Sequence, residues 1–120
     1  MTKLTVVVGA SENPERYSNK AILSLVKQGH NVIGLGIKEG EVAGIKILTN
    51  KPQLTDVDTV TLYVGPKNQS EWIDYILQLK PKRIIFNPGT ENPEFVTMAT
   101  KNGIECIEAC TLVMLSIGNF

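Results

Sequence analysis

The sequence contains few of the groups that carry most protein chemistry. Its 120 residues include one histidine and two cysteines, and twelve basic side chains balance twelve acidic ones. A chain without excess positive charge lacks the electrostatic footprint of a protein that binds nucleic acid or an anionic membrane surface. Neither nucleic acid nor membrane is therefore an expected partner, and any bound anion must be held by local groups.

Long apolar runs are also missing. The opening MTKLTVVVG leads directly into a predicted strand, and no run has the length of a signal peptide or a membrane span. A cytoplasmic location is the default expectation.

Cys106 and Cys110 lie four residues apart without a second pair, a spacing that predicts neither a zinc site nor a disulfide framework. We expect no metal site.

Strand-like and helix-like segments alternate along the chain. The predicted strands are KLTVVVGA, NVIGLGI, DTVTLYVG, RIIFNPG and IECIEA. This rhythm predicts βαβ units, and hence a doubly wound α/β domain over residues 1–120 with a five-stranded parallel sheet covered on both faces. The expected strand order is 3-2-1-4-5, with the first strand ending near Gly9. Residues 38–50 are interpreted as an irregular connection with a short extended piece over 45–48.

Capping residues predict where the helices begin. Ser18 is the expected N-cap of the first helix, and Asn92, followed by a proline, the N-cap of the third. The apolar tail after Cys110 predicts a last short helix. The tail carries more apolar side chains than one short helix must bury, which is compatible with a homodimer. These residues are Leu112, Val113, Leu115 and Ile117.

The loop after the first strand is long and polar. The dinucleotide fingerprint requires glycine at its first, third and sixth positions and an acid about 20 residues later. Gly9 fits the first position, but Ser11 and Pro14 occupy the other two, and the second strand ends in GLG without an acid. Classical NAD binding is therefore disfavoured.

The same loop still suits a phosphate. Gly9 turns the backbone without a Cβ, Ser11 offers a hydroxyl, and the following helix directs free N–H groups toward the loop. Arg16 and Lys20 would add positive charge. Valine at Gly9 is expected to fill the phosphate's space while leaving the fold largely intact. A purely structural capping loop with an exposed arginine is the alternative.

Several motifs together resemble a known family. GAS at residues 9–11, NPER at 13–16, GHNVIGLG, GTENPEF and NGIECIEACTLVML are similar to the small stand-alone coenzyme A-binding proteins, which are related to the coenzyme A-binding domain of succinyl-CoA synthetase. The likeness covers essentially the whole chain. It implies a Rossmann-like three-layer sandwich, with coenzyme A or an acyl-CoA as the ligand.

The resemblance also implies a set of cofactor-binding residues. Those expected to meet the phosphates are Gly9, Ala10, Ser11, Arg16 and Ser18. Those expected at the adenine or ribose are Leu35 and Gly36. The pantetheine side would be lined by residues 63–67 and 87–91, and in particular by Tyr63, Val64, Gly65, Lys67, Asn87, Pro88, Gly89 and Glu91. Gly65 and Lys67 depart from the Arg-Pro pair that related chains often carry.

Cys110 raises a separate hypothesis. Ligands of doubly wound sheets bind beyond the carboxyl ends of the strands, so the loops after the predicted strands are the expected ligand loops. Cys110 follows the fifth strand at this edge, and coenzyme A ends in a thiol, so a mixed disulfide with the coenzyme is one interpretation. A small, partly buried residue packing beneath the tail is the other, because a thiol in apolar surroundings has little thiolate character.

Catalytic residues are not expected. The single histidine, His30, falls at the opposite edge of the predicted sheet, so no Ser-His-acid or Cys-His set can be assembled at the ligand edge. The sequence favours a small-molecule binding module. A nucleotide-binding oxidoreductase of the NAD type and a subunit of an acyl-CoA ligase are the alternatives.

Overall fold

The computed structural model describes residues 4–120. Its strands are β1 (Leu4–Val8), β2 (Asn31–Leu35), β3 (Gly40–Val42), β4 (Ile45–Leu48), β5 (Thr59–Leu62), β6 (Arg83–Phe86) and β7 (Glu105–Glu108). Its helices are α1 (Tyr17–Lys27), α2 (Ser70–Leu79), α3 (Pro93–Lys101) and α4 (Thr111–Ser116), with a 3₁₀ turn over Pro66–Asn68.

The described strands form one sheet in the order β3-β4-β2-β1-β5-β6-β7. Neighbouring strands are parallel except β3 and β4, which are antiparallel. The α/β class is confirmed, but the predicted five-stranded, all-parallel sheet is wrong. The sheet is mixed and has seven strands within residues 4–120.

The error lies in the segment interpreted as an irregular connection. A two-residue turn, Ala43-Gly44, joins β3 to β4, and both turn residues have positive φ, +52° and +80°. Such turns match the twist of a hairpin. β4 pairs with β2 and takes the place assigned to the third strand, so DTVTLYVG (β5) lies on the other side of β1. The expected order of the five predicted strands is therefore also wrong.

Alternate residues of β1 enter two separate clusters of the core. Val6 and Val8 belong to a cluster that contains Trp72 and Phe95, from α2 and α3. Val7 belongs to another with Ile22 of α1 and with Leu115 of α4. Since successive side chains of a strand point to opposite faces, helices pack on both faces of the sheet and leave the ends of its strands open.

One of the two predicted helix caps is confirmed. Asn92 precedes α3 and its side-chain oxygen accepts a hydrogen bond from the N–H of Phe95, at 3.3 Å. The prediction for Ser18 is wrong, because α1 already begins at Tyr17 with Arg16 at the N-cap position. A turn closed by Arg16 N–H and Asn13 O, at 3.0 Å, brings the chain into the helix earlier.

The apolar tail forms the predicted short helix, α4. Leu115 is buried and Leu112 partly buried, whereas Val113 and Ile117 remain 54% and 68% exposed. The homodimer stays a prediction. No helix within residues 4–120 has the length and apolar character needed to cross a membrane.

Candidate functional site

A cleft of about 840 Å³ opens where β1, β2, β5 and β6 end. The first connections of the chain place β2 and β4 on one side of β1, and the next connection returns to place β5 on its other side. Ligands of open α/β sheets bind at this kind of reversal, beyond the carboxyl ends of the strands. The cleft therefore lies where the topology favours a ligand.

Many of the predicted site residues line this cleft. They are Gly9, Ala10, Ser11, Arg16, Ser18, Gly36, Tyr63, Val64, Gly65, Pro88 and Gly89. The cleft thus brings together groups that the sequence places in four separate loops.

The remaining predicted site residues lie outside the lining. Leu35 is buried in the core, and Asn87 is buried beneath the loop that it begins. Lys67 projects from the 3₁₀ turn, and the carboxylate of Glu91 accepts a hydrogen bond from the N–H of Gly89, at 2.9 Å. Cys110 is partly buried at the start of α4. The mixed disulfide stays a prediction.

Sequence reasoning did not select other residues that line the cleft. They are Glu12, Asn13, Tyr17, Ile37, Lys38, Glu39, Asn68, Glu71 and Trp72, whereas Thr90, which also lines the cleft, falls within the predicted range 87–91. Several fall in loops already expected at the carboxyl edge of the sheet, so their position was the available signal. Trp72 gave none, because its helical spacing is that of an ordinary core residue.

The first loop is folded by its own polar groups. The Ser11 hydroxyl accepts from Asn13 N–H at 3.1 Å, and Asn13 Oδ1 accepts from Glu15 N–H at 3.0 Å. The buried Asn19 side chain donates to the carbonyl oxygen of Ser11 at 3.0 Å. These bonds hold the loop against the start of α1 before any ligand is bound.

The first two N–H groups of the loop do not face the cleft. Gly9 and Ala10 both donate to the carbonyl oxygen of Leu35, at 2.8 and 2.9 Å. The N–H groups of Tyr17 and Ser18 occupy the first positions of α1, where a helix provides no acceptor of its own. The N–H groups at the helix start are therefore available to an anion.

Gly9 is required by the fold itself. Its φ is +95°, and a Cβ there would lie 3.1 Å from the backbone carbon and oxygen of Tyr63 and from Val64 Cγ2. A valine would strain the junction between β1 and the loop after β5. This strain argues against the expectation that valine leaves the fold largely intact.

The hairpin β3–β4 is tied to the first loop. The carboxylate of Glu12 accepts from the N–H of Glu41 at 2.9 Å, and Gly40 leaves the space that the Glu12 side chain fills. This contact joins residues that are 29 positions apart, which no local pattern reveals. It fixes one wall of the cleft.

The charges around the cleft are mixed. Arg16 and Lys38 line it together with Glu12, Glu39 and Glu71. Within residues 4–120 the only ion pair joins Lys82 and Asp58, at 4.0 Å, so Arg16 has no carboxylate partner in the described part of the chain. Its guanidinium is exposed and available to an anionic group.

Tyr63 has the most perturbed ionisation near the cleft. Burial raises the pKa of Tyr63 to about 12, and its hydroxyl is buried without a hydrogen-bond partner among the described residues. The nearby hydroxyls of Thr61 and Thr111 are already bonded to each other at 2.7 Å. The folded protein therefore favours the neutral phenol.

This shift predicts a loss of stability at high pH. The folded pKa lies above the ordinary value of 10. The contribution of the protonated Tyr63 phenol to the free energy of unfolding is therefore fully present below pH 10 and is lost as the pH rises toward 12. Tyr63→Phe is expected to lack this component of the decline. Urea denaturation of both proteins, at neutral pH and across that interval, measures the difference. Parallel curves for the two would contradict the assignment.

Comparison with protein families identifies the chain. A family model described as "CoA binding domain" matches residues 3–116. The chain belongs to this coenzyme A-binding domain family. A comparison with curated protein sequences finds no match.

Solved structures agree with the family fold. The crystal structure of an uncharacterised protein is 49% identical, with a TM-score of 0.97 over 100% of this chain and 99% of that one. A conserved hypothetical protein from Pyrococcus furiosus is 28% identical, with a TM-score of 0.81 over 94% and 98%. A hypothetical protein from Pyrococcus horikoshii OT3 is 26% identical, with a TM-score of 0.82 over 97% and 83%. The Rossmann-like α/β fold is thereby confirmed.

Proposed function

We propose that residues 1–120 form one domain that binds coenzyme A or an acyl-CoA in the cleft and has no catalytic machinery of its own. The observation that carries the proposal is the folded first loop, which presents the start of α1 and the unpaired Arg16 to the point where the sheet reverses. Membership of the coenzyme A-binding domain family supports the choice of ligand.

The parts of the coenzyme are assigned to different walls of the cleft. The phosphates lie against the N–H groups of Tyr17 and Ser18, where the helix dipole favours negative charge. The adenine and ribose lie beyond β2, where Ile37 is 93% exposed and offers an apolar surface. The pantetheine arm runs along the loops that follow β5 and β6, past Gly65 and Gly89.

The proposal assigns no reaction to this cleft. His30, the single histidine of the sequence, lies between the end of α1 and the start of β2, at the amino edge of the sheet. His30 therefore cannot act as a general base or activate a nucleophile at the cleft. A ligase subunit would obtain such a histidine from a partner chain.

Calorimetric titration of coenzyme A into protein stripped of bound nucleotide tests the proposal. We expect saturable one-to-one binding. Stripping is necessary because a ligand carried through purification would mask the site. Absence of binding by the stripped, folded protein would contradict the proposal.

Arg16→Ala is expected to weaken coenzyme binding by roughly 1–3 kcal/mol, because the variant loses a charge-assisted contact with phosphate. The same titration measures the change. Lys101→Ala, which removes a positive charge from the exposed end of α3, serves as the control and should leave affinity unchanged. Equal affinities for the two variants would mean that Arg16 is simply a solvated loop residue.

A further inference from the structure

A fully buried glutamine lies beneath the loops assigned to the pantetheine arm. Gln69, just before α2, is 0% exposed. Its Nε2 donates to the carbonyl oxygens of Val64, at 2.8 Å, and Thr90, at 2.7 Å. Its Oε1 accepts from Asn92 Nδ2 at 2.8 Å. The side chain therefore joins the loop between β5 and α2 to the loop between β6 and α3.

The hydrogen bonds determine which way this amide must point. An amide nitrogen carries two donors, and Gln69 uses both on carbonyl oxygens, which can only accept. The bond from Asn92 holds this orientation, while the side-chain oxygen of Asn92 accepts from Phe95 N–H and caps α3. A rotated amide would place its oxygen against two carbonyls.

The two carbonyls that Gln69 holds belong to walls of the cleft. Val64 and Gly65 follow β5, Gly89 and Thr90 follow β6, and all four residues line the cleft. The loop after β6 turns sharply, with Gly89 at φ +93° and Thr90 N–H bonded to Asn87 O at 3.0 Å. The two hydrogen bonds donated by Gln69 Nε2 join these two loops directly, one ending on Val64 and the other on Thr90.

We propose that Gln69 is a positioning residue, which sets the spacing of these two loops for the pantetheine arm without contacting the ligand. This inference rests on the proposed function and adds that different parts of the protein hold the two halves of the coenzyme. The nucleotide half of the coenzyme is held by the first loop and α1, which Gln69 does not contact. Loss of Gln69 therefore weakens binding of the whole coenzyme but not of its nucleotide half.

The test compares two probes on one variant. Gln69→Met keeps the approximate length of the side chain but removes both donors and the acceptor. We expect its affinity for coenzyme A to fall about tenfold or more, since two buried carbonyls lose their partners and the loops separate. Its affinity for adenosine 3′,5′-bisphosphate, which lacks the pantetheine arm, should stay within about twofold of wild type. Calorimetric titration measures both.

Two further variants complete the design. Gln78→Met makes the same change at an exposed position of α2 and should leave both affinities unchanged. Asn92→Asp keeps an oxygen to cap α3 but loses the N–H that orients Gln69. It should show the same selective loss of affinity for coenzyme A, to a smaller extent. If Gln69→Met does not fold, this variant tests the inference in its place.

The outcomes separate the inference from the proposed function. Wild-type protein that binds neither probe would overturn the proposed function, and this inference with it. Wild-type protein that binds coenzyme A, with variants that lose both probes equally or lose neither, would overturn the role of Gln69 alone. Selective loss of coenzyme A affinity supports the inference.

Discussion

Coenzyme A is expected to raise the unfolding temperature of the nucleotide-stripped protein by on the order of 10 °C at about one hundred times its dissociation constant. A ligand that binds only the native state adds roughly 2.7 kcal/mol at that ratio. In a domain of this size each kcal/mol moves the midpoint by about 4 °C. A thermal melt with and without the coenzyme measures the shift.

NAD at matched concentration distinguishes this ligand from its nucleotide rivals. The first loop lacks the second and third fingerprint glycines, and β2 does not end in the acid that binds a ribose hydroxyl, so NAD and NADP should produce a much smaller shift. A large shift with NAD and none with coenzyme A would favour the oxidoreductase alternative. No shift with any of them would leave the first loop as a structural element.

Gly36→Ala is expected to reduce the free energy of unfolding by about 2–3 kcal/mol. A Cβ at Gly36 would lie 2.5 Å from the carbonyl oxygen of Ala10 and 3.2 Å from Ile47 Cγ2. The backbone of the first loop must then move, because Ala10 N–H is bonded to β2 and cannot retreat without breaking that bond. Urea denaturation gives the change from the midpoint and slope of the transition.

Gly65→Ala provides the matched control. Gly65 has an extended backbone, φ −66° and ψ 159°, and a Cβ there would meet only the carbonyl oxygen of Gly89, at 3.9 Å. Its stability should change by less than about 0.5 kcal/mol. Equal losses for the two variants would show that close packing against Ala10 is not what requires glycine at position 36.

The alternation of apolar strands and helices was sufficient to predict the class of fold. It failed over residues 38–50, since β3 has three residues and β4 four, too few for a periodic pattern to emerge. The turn between them uses Ala43 at positive φ, where hairpins usually show asparagine or glycine. Because β4 occupies the place beside β2, this one omission also changed the strand order.

The sequence predicted which loops surround the site but not the contacts that shape it. Four loops at the carboxyl edge follow from the order of strands and helices, and the cleft lies among them. The contacts that shape the cleft join distant residues: Glu12 bonds to Glu41, and Gln69 bonds to Thr90. A buried glutamine reads in the sequence as an ordinary polar residue. Only the three-dimensional arrangement shows its partners.

The composition of the sheet's two outer strands limits how copies of this protein can associate. β3 is three residues long, and β7 carries the exposed carboxylates of Glu105 and Glu108 along its four residues. Strands so short and charged resist pairing with a strand from another molecule, which protects the protein from aggregation by sheet extension. Two copies joined along β7 would bring like charges together. The homodimer predicted from the apolar tail would not extend the sheet, since the exposed tail side chains of Val113 and Ile117 lie at α4 and not on an edge strand.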